Sequence, residues 1–342
     1  MNLSGLNLKM PARYAINTVL IIGFLVVGYF VTQGGVLTRA QNNIIIQVGF
    51  FIILAVSLNL PAGYLGQLPL GHAGFMAVGA YIGAIFWRSG MLSGMLWGYG
   101  NVVGGLVAAG IVAAIFGVII GVPALRLRGD YLAIITLGFG EMIRVLIMNL
   151  PSITGGAQGM QQIPRNSSFL VVYICVIICC LVIHMMMKSR HGRAILAIRD
   201  NEIATESMGV NTTYYKVMAF AMSAFFAGVA GALYAGNLGI LVPSDFSFMM
   251  SINILMIVVL GGMGSMMGSI IGAIVLTSLP LLMRGLSDFR MIIYALLLIL
   301  VMIFKPSGLM GTYDFSMSHI IGRAGGFFMR GKKEGGTPSD NS

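Results

Sequence analysis

Long apolar runs are what most restricts the folds open to this chain. Stretches nearly free of charge recur at about 14–32, 41–60, 68–87, 100–122, 131–149, 169–187, 214–235, 247–283 and 289–304. About 20 helical residues cross the hydrocarbon of a bilayer, and only segments that satisfy their own backbone groups are tolerated there. Charged residues make up 9% of the chain and mean hydropathy is +0.93, whereas a soluble domain carries roughly 25% charge. The expected fold is therefore an all-α integral membrane protein. Its 47 glycines suit helices that pack through small residues.

The first run follows Lys9 and Arg13 and has the outline of a signal peptide. It is longer than a secretory apolar core, and Thr32-Gln33-Gly34-Gly35 is not a small-x-small cleavage site. A retained first span is expected. The run 247–283 is too long for one ordinary span, and Gly261-Gly262-Met263-Gly264-Ser265 interrupts it. One bent helix there gives nine spans; two short helices give ten.

Basic residues concentrate on cytoplasmic loops, and this arbitrates. Ten spans put both termini in the cytoplasm, with Lys9, Arg13, Arg126, Arg128, Lys188, Arg190, Arg193, Arg199, Lys216 and the tail inside. Arg39, Arg88, Arg165, Arg284 and Arg290 then fall outside. Nine spans would expel the five basic residues Lys305, Arg323, Arg330, Lys332 and Lys333. Ten is the expected count. A transmembrane domain over 1–310 and a cytoplasmic tail over 311–342, disordered at its end, follow. A five-plus-five division near residue 160 would make inverted halves, although the Gly-rich breaks at 63–71 and 261–268 do not fall in equivalent helices.

Three features stand out. The segment Lys188–Thr213 is a long hydrophilic cytoplasmic loop in which Ala194, Ile195, Ala197, Ile198, Ile203, Ala204 and Met208 predict a short amphipathic helix ended by Gly209. Such a helix lies on the interface, docks on a partner, or is a solvated loop; Asp200, Glu202 and Glu206 among the arginines speak against simple attraction to anionic lipid. In the fifth span, Asp130, Leu137, Glu141, Arg144 and Met148 fall on one face at 100° per residue. Each lone charge costs about 2.5–3.5 kcal/mol at a helix centre on insertion scales, so Glu141 and Arg144 either line a path or gate, or form a structural pair. Finally, Gly63 to His72 and Gly261 to Gly268 break the apolar pattern, which fits cavity-lining backbone or close helix packing. His72 reads as a pathway ligand or as a packing histidine.

Several classes are disfavoured by what is missing. No G-x-x-x-x-G-K-[ST], H-E-x-x-H or G-x-S-x-G occurs, and no spaced Cys/His set. The chain is thus expected to have no catalytic site, metal or cofactor of its own. Cys175, Cys179 and Cys180 share one apolar run and read as small apolar residues. The net charge of +10 is distributed as topology signals between spans, which argues against nucleic-acid binding.

The run Leu125-Arg126-Leu127-Arg128-Gly129-Asp130-Tyr131-Leu132-Ala133-Ile134-Ile135-Thr136-Leu137-Gly138-Phe139-Gly140-Glu141-Met142-Ile143-Arg144 closely resembles the signature of branched-chain amino acid ABC permeases, the M-type subunit of the Liv system. So do Thr154 to Met160, Gly63 to Gln67 with Leu70 to Phe75, Gly192-Arg193 through Arg199–Ala204 to Gly209, and Pro306 to Gly311. The resemblance covers about 40–311. It implies an ATP-driven importer of leucine, isoleucine and valine in the bacterial inner membrane. Its partners would be a second related permease, two ABC ATPases and an external substrate-binding protein. It also implies that 190–209 meets an ATPase, with Arg193, Arg199, Asp200, Asn201, Glu202, Ala204 and Gly209 as coupling residues. Candidate pathway or gate residues are Gly66, Gln67, Gly71, His72, Thr136, Glu141, Arg144, Gly155 and Gly156. Permeases for urea or short amides look similar, and a standalone secondary transporter is the other alternative.

Overall fold

The computed structural model describes residues 38–90, 100–125, 127 and 129–282, with isolated positions nearer the two ends. The expected spans at 14–32 and 289–304 and the tail 311–342 lie almost wholly outside the described residues, and with them the side occupied by each terminus.

Among the described residues the structure is helical, and the one β-type pairing is an isolated antiparallel bridge between Met160 and Leu241. Helix α1 spans Arg39–Asn59 and starts at a capping box, in which Thr38 and Gln41 exchange side-chain and backbone hydrogen bonds. It runs on into a π-helical turn, Leu60–Tyr64. The chain is then non-helical until α2, His72–Ser89, so the expected span 68–87 begins four residues later than its apolar run. Next come α3 (Gly100–Ala124), α4 (Asp130–Met148) and α5 (Phe169–Lys188). Two short helices follow, α6 (Arg190–Asp200) and α7 (Glu202–Ser207), then the long α8 (Thr212–Leu238). The described part closes with α9 (Phe248–Gly261) and α10 (Met266–Leu282).

Five of these are long and apolar enough to cross a membrane: α1 with its π turn, α3, α4, α5 and α8. The core is built where α8 packs against α1, α2 and α3. Gly79 of α2 lies so close to Gly228 of α8 that a side chain at 79 would overlap the facing backbone. Ala113 of α3 packs on the other side of Gly228. Small residues here bring backbones together where lipid supplies no hydrophobic drive. Larger side chains fill the remaining space, including Phe75 edge-on to Phe220 at 5.4 Å and Phe50 edge-on to Tyr234 at 5.4 Å.

The long run 247–283 is a hairpin, not a bent span. Gly261 faces Gly268, and Gly272 faces the carbonyl of Ile257, which is antiparallel register. At about 21 and 26 Å the two arms fall short of the roughly 30 Å hydrocarbon layer.

Candidate functional site

Thr136 and Glu141 lie near the middle of α4, so whatever touches them lies at membrane depth. Two helix starts do. The backbone N–H of Leu70 donates to Thr136 Oγ1 at 3.0 Å, and Gly71 packs directly on the Thr136 carbonyl, where any Cβ would overlap it. One residue later α2 begins. Its Ala73 N–H donates to Ser251 Oγ at 3.1 Å, in the first turn of α9. The start of α9 is held in turn by α4: the Phe248 N–H donates to Glu141 Oε1 at 3.0 Å. Helix starts leave N–H groups without intrahelical partners, and here side chains of neighbouring helices supply them.

The other oxygen of Glu141 accepts from Arg144 Nε at 2.7 Å, and Arg144 Nη1 lies 3.6 Å from Met148 Sδ. Leu137, Glu141, Arg144 and Met148 thus lie along one strip of α4, as their angular spacing predicts. Leu70, Gly74, Leu137, Glu141, Phe246 and Ser251 line a pocket of about 170 Å³ including its open mouth. The crevice has room for about one water molecule, and a carboxylate and two helix starts border it.

At one end of the bundle the two glycine-rich breaks meet. Gly264 N–H donates to Asn59 Oδ1 at 2.8 Å, and Asn59 Nδ2 donates to the Ser265 carbonyl at 3.0 Å. Gly63 packs against Gly264. Arg199 of α6 reaches the same place, donating from Nη1 to the Gly63 carbonyl at 3.4 Å while its aliphatic stem lies over Gly66.

The segment carrying Arg199 is two helices, which corrects the expected single amphipathic one. Asn201 is extended (φ −159°), and its side chain caps α7 by accepting the Ala204 N–H at 3.0 Å. Asn favours this role because its own amide competes with helical continuation. Ile195 and Ile198 are buried as expected, but Ile203 and Met208 point outward at 66% and 83% exposure. Glu202 pairs with the buried Lys216 Nζ at 2.7 Å, tying α7 to α8. Arg199 also contacts Asp200 at 3.3 Å, Arg193 and Ala204 are exposed, and Gly209 ends the segment at φ +82°.

The candidate pathway residues therefore separate into three places. Glu141 lines the pocket, and Gly71, Thr136 and Arg144 touch residues that line it. Gly66 and Gln67 belong to the Arg199 end. Gly155 and Gly156 form the turn after α4, where Thr154 Oγ1 donates to the Ile147 carbonyl at 2.6 Å and accepts the Gly156 N–H at 3.2 Å. His72 is next to the pocket in sequence but points away from it. Its Nε2 lies 3.1 Å from Ser57 Oγ in the core, the packing role of its two readings. Asn59, Ser251, Phe246 and Phe248 were not singled out by sequence. Asn59 carried a usable signal, since a buried amide inside an apolar run needs specific partners. Among the described residues no three His, Cys, Asp or Glu side chains are grouped to hold a metal.

The family described as "Branched-chain amino acid transport system / permease component" matches residues 41–304. The chain is 37% identical over 315 residues to the high-affinity branched-chain amino acid transport system permease protein LivM of Salmonella typhimurium, covering 80% of this chain and 70% of that protein. LivM of Escherichia coli matches to the same extent. The permease protein LivH of Escherichia coli is 24% identical over 281 residues, covering 76% of this chain and 91% of LivH.

Proposed function

Because the chain belongs to the branched-chain amino acid permease family of ABC transporters, multi-pass proteins of the inner membrane, we propose that it is a permease subunit of an ATP-driven importer of leucine, isoleucine and valine. The observation that carries this reading is the meeting of two helix starts, at His72 and Phe248, over a pocket at the depth of Glu141. Broken helices at membrane depth are tolerated where they line a cavity, and a branched-chain amino acid joins charged groups to an apolar side chain. Glu141, Arg144, Thr136 and Gly71 belong to the path or its gate in this reading.

Residues 190–209 meet an ATPase. Ile203 and Met208 face outward and touch little of their own chain, which suits insertion into a groove on a partner. Arg193, Asp200, Asn201, Ala204 and Gly209 surround them, while Glu202 holds α7 in place through Lys216. Arg199 links this segment to Gly63 and Gly66, so ATP-driven closure of two ATPase subunits would displace the junction of both helix breaks. The path would then switch access by a shift between two populations with different ligand affinity.

Ten spans with both termini in the cytoplasm complete the picture. The positive-inside count supports it, and so does the pairing of loops: residues 160 and 241 share one end of the bundle, residues 63, 199 and 264 share another. A second permease and an external binding protein are the remaining partners. The test is uptake into proteoliposomes holding the purified complex, with labelled leucine, urea and short amides. Leucine uptake that needs both binding protein and ATP is expected. Uptake of urea or amides alone would reassign the cargo, and uptake that survives loss of ATPases but not of ion gradients would overturn the importer reading.

A further inference from the structure

The crevice beside Glu141 is too small for an amino acid, so one of its walls has to withdraw before cargo can pass. Most of the walls are fixed. Gly71 is wedged on the Thr136 carbonyl and Gly74 on the backbone of Gly140, which ties the start of α2 to α4. Leu137 and Gly140 belong to α4 itself.

Phe246 is the wall with the loosest attachment. It ends a short 3₁₀ turn, Pro243–Phe246, between α8 and α9. The residue is 2% exposed, and its ring lies edge-on to Tyr234 at 5.7 Å and tilted on Tyr81 at 6.2 Å. It stands between Leu241, which pairs with Met160 at one end of the bundle, and the start of α9 beside Glu141. The Tyr234 hydroxyl reaches the Asp245 carboxylate only at 3.4 Å, long for a bond of this type. On the other side of Phe246, the Phe248 N–H donates to Glu141 Oε1 at 3.0 Å. The Tyr81 hydroxyl is buried and, among the described residues, has no hydrogen-bond partner. Such a group is unfavourable, and withdrawal of the neighbouring ring would let water or cargo reach it.

We propose that Phe246 is the outer plug of the path and Glu141 its latch, released by the ammonium group of the arriving amino acid. This rests on the importer reading, with residues 160 and 241 at the outer end. An ammonium binds a carboxylate more strongly than a backbone amide does, because charge attraction adds to the hydrogen bond. At Oε1 it replaces the Phe248 N–H, while Oε2 keeps Arg144. The cargo's carboxylate meets the Arg144 guanidinium, whose Nη1 has the Met148 thioether at 3.6 Å, a weak acceptor. The zwitterion thus lies head to tail along the ion pair. With Phe248 released, the turn carrying Phe246 swings clear of Tyr81 and Tyr234. Urea and short amides carry no cation and leave the latch closed.

The test uses the complete complex in proteoliposomes, with Ala73→Cys as a reporter in the crevice wall. A small membrane-impermeant thiol reagent is added on the binding-protein side, and labelling at position 73 is read by mass spectrometry, so the native cysteines stay. Position 73 should be protected at rest and label at least tenfold faster during turnover with leucine-loaded binding protein and ATP. Adding Phe246→Ala should bring that faster rate at rest, whereas Phe246→Leu should stay protected. Glu141→Ala removes the latch and should also raise labelling at rest. Glu141→Gln keeps an oxygen for Phe248 but no charge for an ammonium; it should stay protected at rest and label at least threefold slower than the parent during turnover. Arg144→Gln should slow turnover labelling likewise. Protection of Phe246→Ala equal to the parent would overturn the plug. No rise at rest for Glu141→Ala, or parental turnover labelling for Glu141→Gln, would overturn the latch. If Phe246→Ala fails to assemble, the two Glu141 variants decide. Either negative result beside parental leucine uptake removes this proposal alone; a parent complex that takes up no leucine with binding protein and ATP removes the importer reading first.

Discussion

Glu141 accepts the backbone N–H of Phe248 at 3.0 Å, joining the middle of α4 to the first residue of a helix 107 positions later. The same carboxylate holds Arg144. One ionised group therefore fixes where α9 begins and neutralises a guanidinium at membrane depth. Bonds to charged acceptors are about twice as strong as neutral ones, and a negative charge at a helix start is favoured by the helix dipole.

Glu141→Ala leaves both Phe248 N–H and Arg144 without this acceptor. Uptake or assembly of the complex should fall at least tenfold. Glu141→Gln keeps an oxygen for Phe248 but no charge for Arg144, and should lie between. Labelled-leucine flux together with expression level checks this; parental values of both for the alanine variant would leave Glu141 without an essential part.

Two glycines, one packed on the backbone of α4 and one on its open face, should respond with opposite sign. Gly71→Ala drives a methyl group into the Thr136 carbonyl, an overpacking that costs about 1–3 kcal/mol. Gly138→Ala meets nothing and should stabilise the isolated subunit by about 0.5–1 kcal/mol. Thermal unfolding of the detergent-purified chain separates them.

Asn59→Ala leaves the Gly264 N–H without its acceptor in the junction, at about 1–3 kcal/mol, while the Ser265 carbonyl keeps its bonds from Ser269. The Gly262–Ser265 turn should become more sensitive to protease. Asn59→Asp retains the acceptor for Gly264 and loses only the donor, so its turn should be less sensitive than that of the alanine variant.

On the cytoplasmic segment, Ile203→Asp and Met208→Asp alter side chains that are largely exposed. Membrane insertion should match the parent while ATPase co-purification falls at least tenfold. Arg199→Glu should lower ATPase association more than insertion, and also uptake, through the lost Gly63 contact. Glu202→Lys sets a second cation against the buried Lys216 and should disorder α7 itself. Unchanged ATPase co-purification across the set would remove the docking role.

The helical frame was legible because charge-poor runs of this length have few alternatives in lipid. The strip Leu137, Glu141, Arg144 and Met148 was legible because helical angle is a local property. What pairs with that strip was not: Phe248 lies 107 positions away, and periodicity names a face without naming what covers it. The same holds for the two glycine-rich breaks, which looked unrelated along the chain and meet at Asn59 and Arg199. The break at Asn201 was missed for another reason. Ile195 and Ile198 lie on one face, but at about 100° per residue Ile203 and Met208 fall on other faces of a continuous helix, and Asn201 restarts the phase between the two pairs.

The Asn59 junction also bears on biogenesis. The amide is synthesised some 205 residues before the Gly264 backbone it holds. Until then it sits in the bilayer beside Gly63 without that partner, and neither α9 nor α10 is long enough to settle in lipid by itself. The hairpin arrives as the last fitting of a socket prepared early in translation. Nascent chains stopped before Ser265 should therefore persist as unfinished intermediates, open to membrane proteases, whereas chains released just beyond α10 should not.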